Sequence, residues 1–278
     1  MYAVGSGQPR KQDGRHRVGS MNKKLQNNLK RVRERIASAC ARYGRSPDRI
    51  TLVVVTKYVS LDVIRQWVEL GQIDLGENRP QELVRRAAAT QEWLTRRARD
   101  PNVPHSPLPR WHMIGHVQRN KVKKLLPWVS LVHSVDTLRL AEEIDEQSAR
   151  LGTVTPVLLE VNATGDPAKH GVAFPAFVHL AEVLTTLKHI RLCGMMAMGP
   201  LTSDEREIRT AFERVRELFD ETRSRRIGGT DFAVLSLGMS ADFEYAVEVG
   251  ATHLRIGSAL YEGLETVSVA HAETKSEP

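Results

Sequence analysis

A chain of 278 residues with 41% apolar and 26% charged side chains has the composition of a soluble globular protein, long enough for one large core or two ordinary domains. No apolar run approaches bilayer-crossing length. The two cysteines, Cys40 and Cys193, are too few and too far apart for a disulfide framework and fit a reducing cytoplasm. Much of the net charge of +7 lies in Arg10, Lys11, Arg15, Arg17 and the following LKRVRERI. No helix carries a clean basic face with interleaved aromatics, so the excess reads as solvated surface that favours an anionic small ligand over nucleic acid.

Residues 1–20 are polar and basic with no apolar stretch, so they read as a flexible arm and not a secretory signal. Within 22–43, Leu25, Leu29, Val32, Ile36 and Ala39 recur at helical spacing, and Tyr43-Gly44-Arg45-Ser46-Pro47 follows as a turn. Strand-like runs then alternate with helical ones. The strands fall at 51–56, 72–76, 110–115, 129–134, 155–161, 190–196, 232–237 and 252–257, with helices such as 61–70, 141–150 and 204–223 between them. The proline-rich stretch 95–110 is a loop inside the domain, because units continue on both sides of it. Eight strand-then-helix units predict an α/β fold, a single closed (β/α)8 TIM barrel over residues 21–264, with a disordered polar tail at 265–278. A doubly wound open sheet is the competing architecture. It would use fewer strands in one domain, and neither GxGxxG nor GxxxxGK[ST] is present.

Binding groups of such a barrel gather at the carboxyl ends of its strands. Here those ends carry Lys57, Glu77-Asn78-Arg79, His116, His133 to Asp136, Asn162 to Gly165 with Lys169-His170-Gly171, and Arg255-Ile256-Gly257-Ser258. The loops SLGMSAD and LRIGSALYEG, after strands seven and eight, combine small residues, hydroxyls and unpaired N–H groups, which suits a phosphate. Gly238 and Gly257 would also serve in plain tight turns, but two such loops in adjacent units favour the phosphate. A lysine ending an apolar strand is ordinarily a surface amine. At the mouth of a mostly apolar barrel, desolvation would instead leave Lys57 nucleophilic toward an aldehyde. A ligand with both an aldehyde and a phosphate fits the pair, and pyridoxal 5′-phosphate is the commonest such cofactor. Histidines 112, 116, 133 and 170 follow no metal-ligand spacing, so no metal is expected, and His112 reads as a packed or hydrogen-bonded strand residue.

VVVTKYVS, LGENRPQEL, WHMIGHVQRNKVK, LLEVNATGDPAKHGV, CGMMAMGP and LSLGMSADFEYAVEVGATHLRIGSALYEG follow one another across 25–263. On these segments the chain resembles the pyridoxal-phosphate homeostasis protein family. The resemblance implies a fold-type III barrel, similar to the N-terminal domain of alanine racemase and without the C-terminal β domain. It implies Lys57 as the Schiff-base lysine and Asn78 beside the cofactor ring. It places Ser240, Gly257 and Ser258 on the phosphate, with Ser236, Gly238 and Met239 alongside. Arg255 resembles the racemase arginine that faces the pyridine nitrogen, where a group that keeps its proton discourages pyridinium formation. Two departures fall at the pocket lip. Arg79 stands where the family often has an aromatic residue, and His116-Val117-Gln118 stands where it has Leu-Gln after a Gly-Pro.

Racemisation in the alanine racemase style needs a base on each face of the cofactor. The racemase's second base is a tyrosine from its other domain, whereas this chain reads as ending after strand eight and Tyr245 falls inside a helix. The expected function is cytoplasmic cofactor homeostasis, in which the chain holds, buffers or delivers pyridoxal phosphate without robust catalysis. Recipients would be apo forms of dependent enzymes, and a monomer is the expected state. A racemase or another fold-type III enzyme is the alternative.

Overall fold

The computed structural model describes residues 11–166 and 169–264, with side chains from residue 21 onward. In chain order the elements are α1 (Lys11–Arg42), β1 (Thr51–Val55), α2 (Leu61–Glu69), β2 (Asp74–Glu77), α3 (Pro80–Arg97), β3 (Arg110–Met113), α4 (Val122–Leu125) and β4 (Val129–Val135). They continue as α5 (Leu138–Leu151), β5 (Thr155–Val161), α6 (Phe174–Leu184), β6 (Ile190–Ala197), α7 (Glu205–Ser224), β7 (Val234–Ser236), α8 (Phe243–Glu248) and β8 (His253–Ile256). The strands form a closed parallel barrel in sequence order, with β8 returning to β1 through Val53↔Arg255 and its neighbours. All eight expected strands are present, and the β8–β1 pairing rules out the open sheet. Among the described residues no helix is long and apolar enough to cross a membrane.

Local chemistry sets the helix ends. Asp204 caps α7 by accepting from the Arg206 N–H at 2.8 Å, and Glu205 and Glu207 sit in the first turn, where the helix dipole favours them. One face of α7 buries Ile208, Phe212, Val215, Leu218, Phe219 and Thr222, the helical spacing that lays it against the barrel. α1 does likewise with Leu25, Leu29, Val32, Ile36 and Ala39. The Asn28 amide then donates to the carbonyls of Leu260 and Glu262, tying α1 to the chain that follows β8.

One boundary differs from expectation. α1 begins at Lys11, so 11–20 are helical rather than an irregular arm. Straight-chain residues such as Lys11, Gln12, Arg15 and Arg17 propagate a helix cheaply once its packed part is nucleated, and no proline interrupts them. Residues 1–10 of the expected arm and the tail at 265–278 lie outside the described residues.

The barrel interior also differs from the apolar lining expected. Side chains alternate along each strand, and contacts between non-neighbouring strands identify the inward set. His133 of β4 bonds Ser236 of β7, Arg255 of β8 bonds the Ala197 carbonyl of β6, and the rings of His112 and His253 lie 6.2 Å apart. The apolar alternates face the helices and make the main core, while only a small cluster of Leu131, Leu158 and Met196 forms a second one.

A buried clamp fixes the upper end of β1. The Glu77 carboxylate accepts from the Thr56 hydroxyl at 2.6 Å and from Arg86 at 2.8 Å, with side-chain exposures of 1% and 6% for the ion pair. Arg86 also donates to the Thr56 carbonyl. Removing one partner strands the other as an unpaired buried charge. Arg86→Met is therefore expected to cost about 3–5 kcal/mol of stability in urea denaturation. The double variant Glu77→Gln/Arg86→Met should cost clearly less, and equal losses would show that the two charges are not coupled.

Candidate functional site

Lys57 follows directly on this clamp. The Tyr261 hydroxyl donates to the Val55 carbonyl at 3.0 Å while accepting from Trp67 Nε1 at 3.1 Å, and the Thr56 N–H donates to the Gly76 carbonyl at 2.9 Å. The residues before Lys57 are thus held at backbone and side chain. Tyr58, directly after it, has φ 70°, a left-handed conformation that costs a non-glycine residue about 1–3 kcal/mol. Ser60 then caps α2 through the Val63 N–H. The Lys57 amine lies 5.7 Å from the Tyr58 ring centroid and is exposed. The expected desolvated amine is corrected here, because the loop carries Lys57 past the barrel wall to the rim.

Beside it opens a cavity of about 470 Å³. Of the residues expected at the site, Lys57, Asn78, Met239, Ser240, Arg255, Gly257 and Ser258 line it. Ser236 and Gly238 do not. Both are buried beneath: Ser236 accepts from Arg255 Nη1 at 2.7 Å, and the Gly238 carbonyl accepts from the Arg255 N–H at 3.0 Å. Gly238 has φ +89° and a Cβ there would stand 2.6 Å from the Ala246 Cβ, so only glycine lets the SLGMSAD loop turn this closely over α8. Arg79 is exposed at the start of α3 and does not line the cavity.

The two loops after β7 and β8 meet at Ser240, whose hydroxyl oxygen accepts from the N–H groups of Gly257 at 3.1 Å and Ala259 at 3.3 Å. Its own hydrogen is left to donate outward. The backbone N–H groups of Ser240, Ala241 and Ser258 have no acceptor among the described residues. Three free amides and two hydroxyls on one wall make a cradle for an anion. Asp242 closes the base of the SLGMSAD turn by accepting from the Met239 N–H at 2.5 Å.

Arg255 opens a hydrogen-bond chain down the barrel axis. A guanidinium only donates, so Arg255 donates to the Ser236 oxygen at one end of the chain. From there Ser236 pairs with His133 Nδ1, His133 Nε2 with His112 Nδ1, and His112 Nε2 with Asp74 at the other end, with the direction of each inner bond set by the histidine tautomers. Burial, followed by the charges of His112, His253 and Arg255, holds His133 well below the usual imidazole range, and burial takes His253 down to about 4. Burial would raise Asp74, but hydrogen bonds from His112 and Arg110 hold it at about 2. Burial lowers Arg255 to about 10 against the opposing pull of Glu160 and Asp242, which leaves it charged at neutral pH. His112 is therefore the hydrogen-bonded core residue its strand position foretold.

Sequence reading passed over one buried carboxylate of the cavity. Glu160, inward on β5, is 3% exposed, and burial with the charge of Asp136 pushes it up to about 7 while Arg255 opposes. A glutamate inside the apolar run VLLEV was its only signal. Ile114, Gly115, His116, His170 and Met198 also line the cavity.

An amine on the rim, an anion cradle beside it and a buried guanidinium in the floor define a phospholigand-binding barrel of the alanine racemase type. The family model for the alanine racemase N-terminal domain matches residues 22–265. A curated relative from Aquifex aeolicus, a pyridoxal phosphate homeostasis protein, is 36% identical over 84% of this chain and 95% of its own length. Among solved structures, an unknown protein from Bifidobacterium adolescentis superposes with TM-score 0.78 at 32% identity, covering 87% of this chain and 96% of its own. PipY of Synechococcus elongatus, solved with PLP bound, gives TM-score 0.66 at 29% identity over 82% of this chain and 99% of its own. The chain belongs to the pyridoxal phosphate homeostasis protein family.

Glu160 makes stability depend on pH in a way that can be isolated. Its pKa of about 7 lies above the ordinary 4.5, so folding favours its protonated form. That stability is complete below 4.5 and is lost as pH rises through about 7. His133 and His253 act in the opposite sense, because their depressed values make stability rise with pH toward 6.5. The difference between wild type and Glu160→Gln removes the histidines from comparison. Relative to the variant, wild type should lose up to about 3 kcal/mol between acid and neutral pH, because each tenfold change in proton affinity is worth about 1.36 kcal/mol. Parallel stability curves from denaturation across that range would refute the assignment.

Proposed function

We propose that the cavity holds pyridoxal 5′-phosphate on Lys57 and that the chain keeps the cofactor available for transfer in the cytoplasm. The observation that carries this reading is the presence of Lys57 and the Ser240–Ser258 cradle on one cavity. The residues fit the group: three free amides and two hydroxyls suit a phosphate dianion, and a primary amine suits an aldehyde. When bound, the cofactor supplies a reactive aldehyde and an electron-withdrawing ring. Lys57 provides the point of covalent attachment, and its exposure leaves that bond open to water and to competing amines, as a carrier requires. Arg255, anchored by Nη1 to Ser236 and by Nη2 to the Ala197 carbonyl, supplies fixed positive charge. Asn78 and Met239 bound the ring space, and Ser236 and Gly238 support the cradle from below. The name of the Aquifex relative and the PLP bound to PipY support the same reading.

Catalytic turnover lacks a second base of the racemase kind. Among the described residues no tyrosine lines the cavity, and Tyr245 lies on α8 under the Arg209 guanidinium, 4.6 Å from its ring centroid. Apo forms of dependent enzymes are the proposed recipients of the cofactor. The chain is taken to act as a monomer, and the two free thiols, Cys40 and Cys193, support a cytoplasmic setting.

Borohydride reduction of cofactor-loaded protein followed by peptide mass analysis should place the adduct on Lys57, and Lys57→Ala should remove it. Adducts confined to other lysines would defeat the assignment. Ser240→Ala should weaken cofactor binding by about 1.5–3 kcal/mol, roughly 10–100-fold, the worth of a hydrogen bond to a charged group.

Carrier and enzyme separate by product. Loaded protein should activate an added apo-enzyme while leaving single-enantiomer amino acids unchanged. Sustained racemisation or decarboxylation would favour the enzyme reading instead.

A further inference from the structure

Three residues apart from Lys57 and the anion cradle converge at the rim of the same cavity. His116 follows β3, Asp136 follows β4 and His170 follows β5, so three consecutive loops each contribute one side chain. The imidazoles stack, with centroids 4.3 Å apart and planes 13° from parallel, so one ring must turn for both in-plane lone pairs to converge on one point. Both turn Nδ1 toward a single oxygen, Asp136 Oδ2, at 3.5 Å from His116 and 3.7 Å from His170. These separations are too long for good hydrogen bonds. They lie near another spacing: ligand atoms held about 2.0–2.2 Å from a tetrahedral ion stand roughly 3.3–3.6 Å from one another, a range that holds the first separation and falls just short of the second. All three donor atoms lie within 4.8 Å of one another.

We propose that His116, Asp136 and His170 bind a divalent transition-metal ion of the zinc class at the mouth of the cavity. Two imidazoles and a carboxylate form the donor set that zinc accepts, and three protein ligands leave a fourth position for water or an incoming ligand. That position is open: the imidazoles are 43% and 55% exposed, while Asp136, at 10%, is held in the wall. His116 and His170 also line the cavity that Lys57 lines, so a bound ion faces whatever occupies it. The site is independent of the cofactor reading, since none of its ligands belongs to the lysine or to the cradle.

Equilibrium dialysis of tag-free, full-length protein against Zn2+, with and without pyridoxal phosphate, tests this directly. Wild type should retain one zinc per chain, and cobalt should replace it with the visible absorption of a low-coordinate site. His116→Gln and His170→Gln should each weaken retention by at least about tenfold, a loss reached even when outer-shell partners are removed. His179→Gln, on α6 and outside the cluster, should retain zinc as wild type does. Both ligand histidines are largely solvent-facing, so the variants should keep wild-type circular dichroism and melting temperature. The cobalt spectrum of wild type stands as a second readout should a variant unfold. Wild type that retains no zinc, or a His116→Gln/His170→Gln double variant that retains as much as wild type, would overturn the proposal.

Discussion

The Glu77 carboxylate, nearly sealed from water, receives the Thr56 hydroxyl and the Arg86 guanidinium at the end of β1, and the placement of the cavity follows from that contact. An ion pair this deep gains little net stability over an apolar replacement, because two desolvation costs oppose its attraction. Its value is directional. Arg86 reaches from α3 to the Thr56 carbonyl while Tyr261 holds the Val55 carbonyl from beyond β8, so β1, β2, α3 and the final turn agree on where β1 stops. The chain then passes through left-handed Tyr58, and Lys57 is presented at the rim. A one-residue slip in β1 would turn its side chains to the opposite face and take the amine off the cavity.

Beneath the rim, the barrel works as an ordered column of donors and acceptors. From Arg255 to Asp74 the hydrogen bonds are unbroken, running through Ser236, His133 and His112. Such a column holds Arg255 rigidly charged without a carboxylate in direct contact. It also keeps His133 neutral at the barrel axis, where a second cation would be costly. The guanidinium floor, the free-amide wall and the exposed lysine all border this one cavity.

The rim opposite the cradle has different chemistry. Cradle and lysine come from the loops after β1, β7 and β8, whereas His116, Asp136 and His170 come from those after β3, β4 and β5. The mouth is thereby divided into an anion-binding side and a cation-binding side, with Glu160 and Arg255 between them on the floor.

Barrel class and strand positions were legible in the chain because each strand is a short apolar run bounded by turn residues, a signal that needs only local sequence. Lys57, Ser240, Gly257 and Ser258 were legible because strand ends in this architecture converge on one mouth. Other features were not. Glu160 hid inside an apolar run, and the helical start at Lys11 hid in a polar segment whose order comes from continuation of a packed helix. Whether Lys57 is enclosed or exposed depends on a turn whose strain is set by contacts from α3 and Tyr261. His116, Asp136 and His170 have no meaningful spacing, since each lies on a separate loop. The sequence by itself determined which residues form strands and which chemistries stand at their ends, because periodicity and turn propensity are local. Only the tertiary structure decided that the histidines share an oxygen and that the barrel axis is polar, because those facts depend on which non-neighbouring strands face each other once the barrel closes.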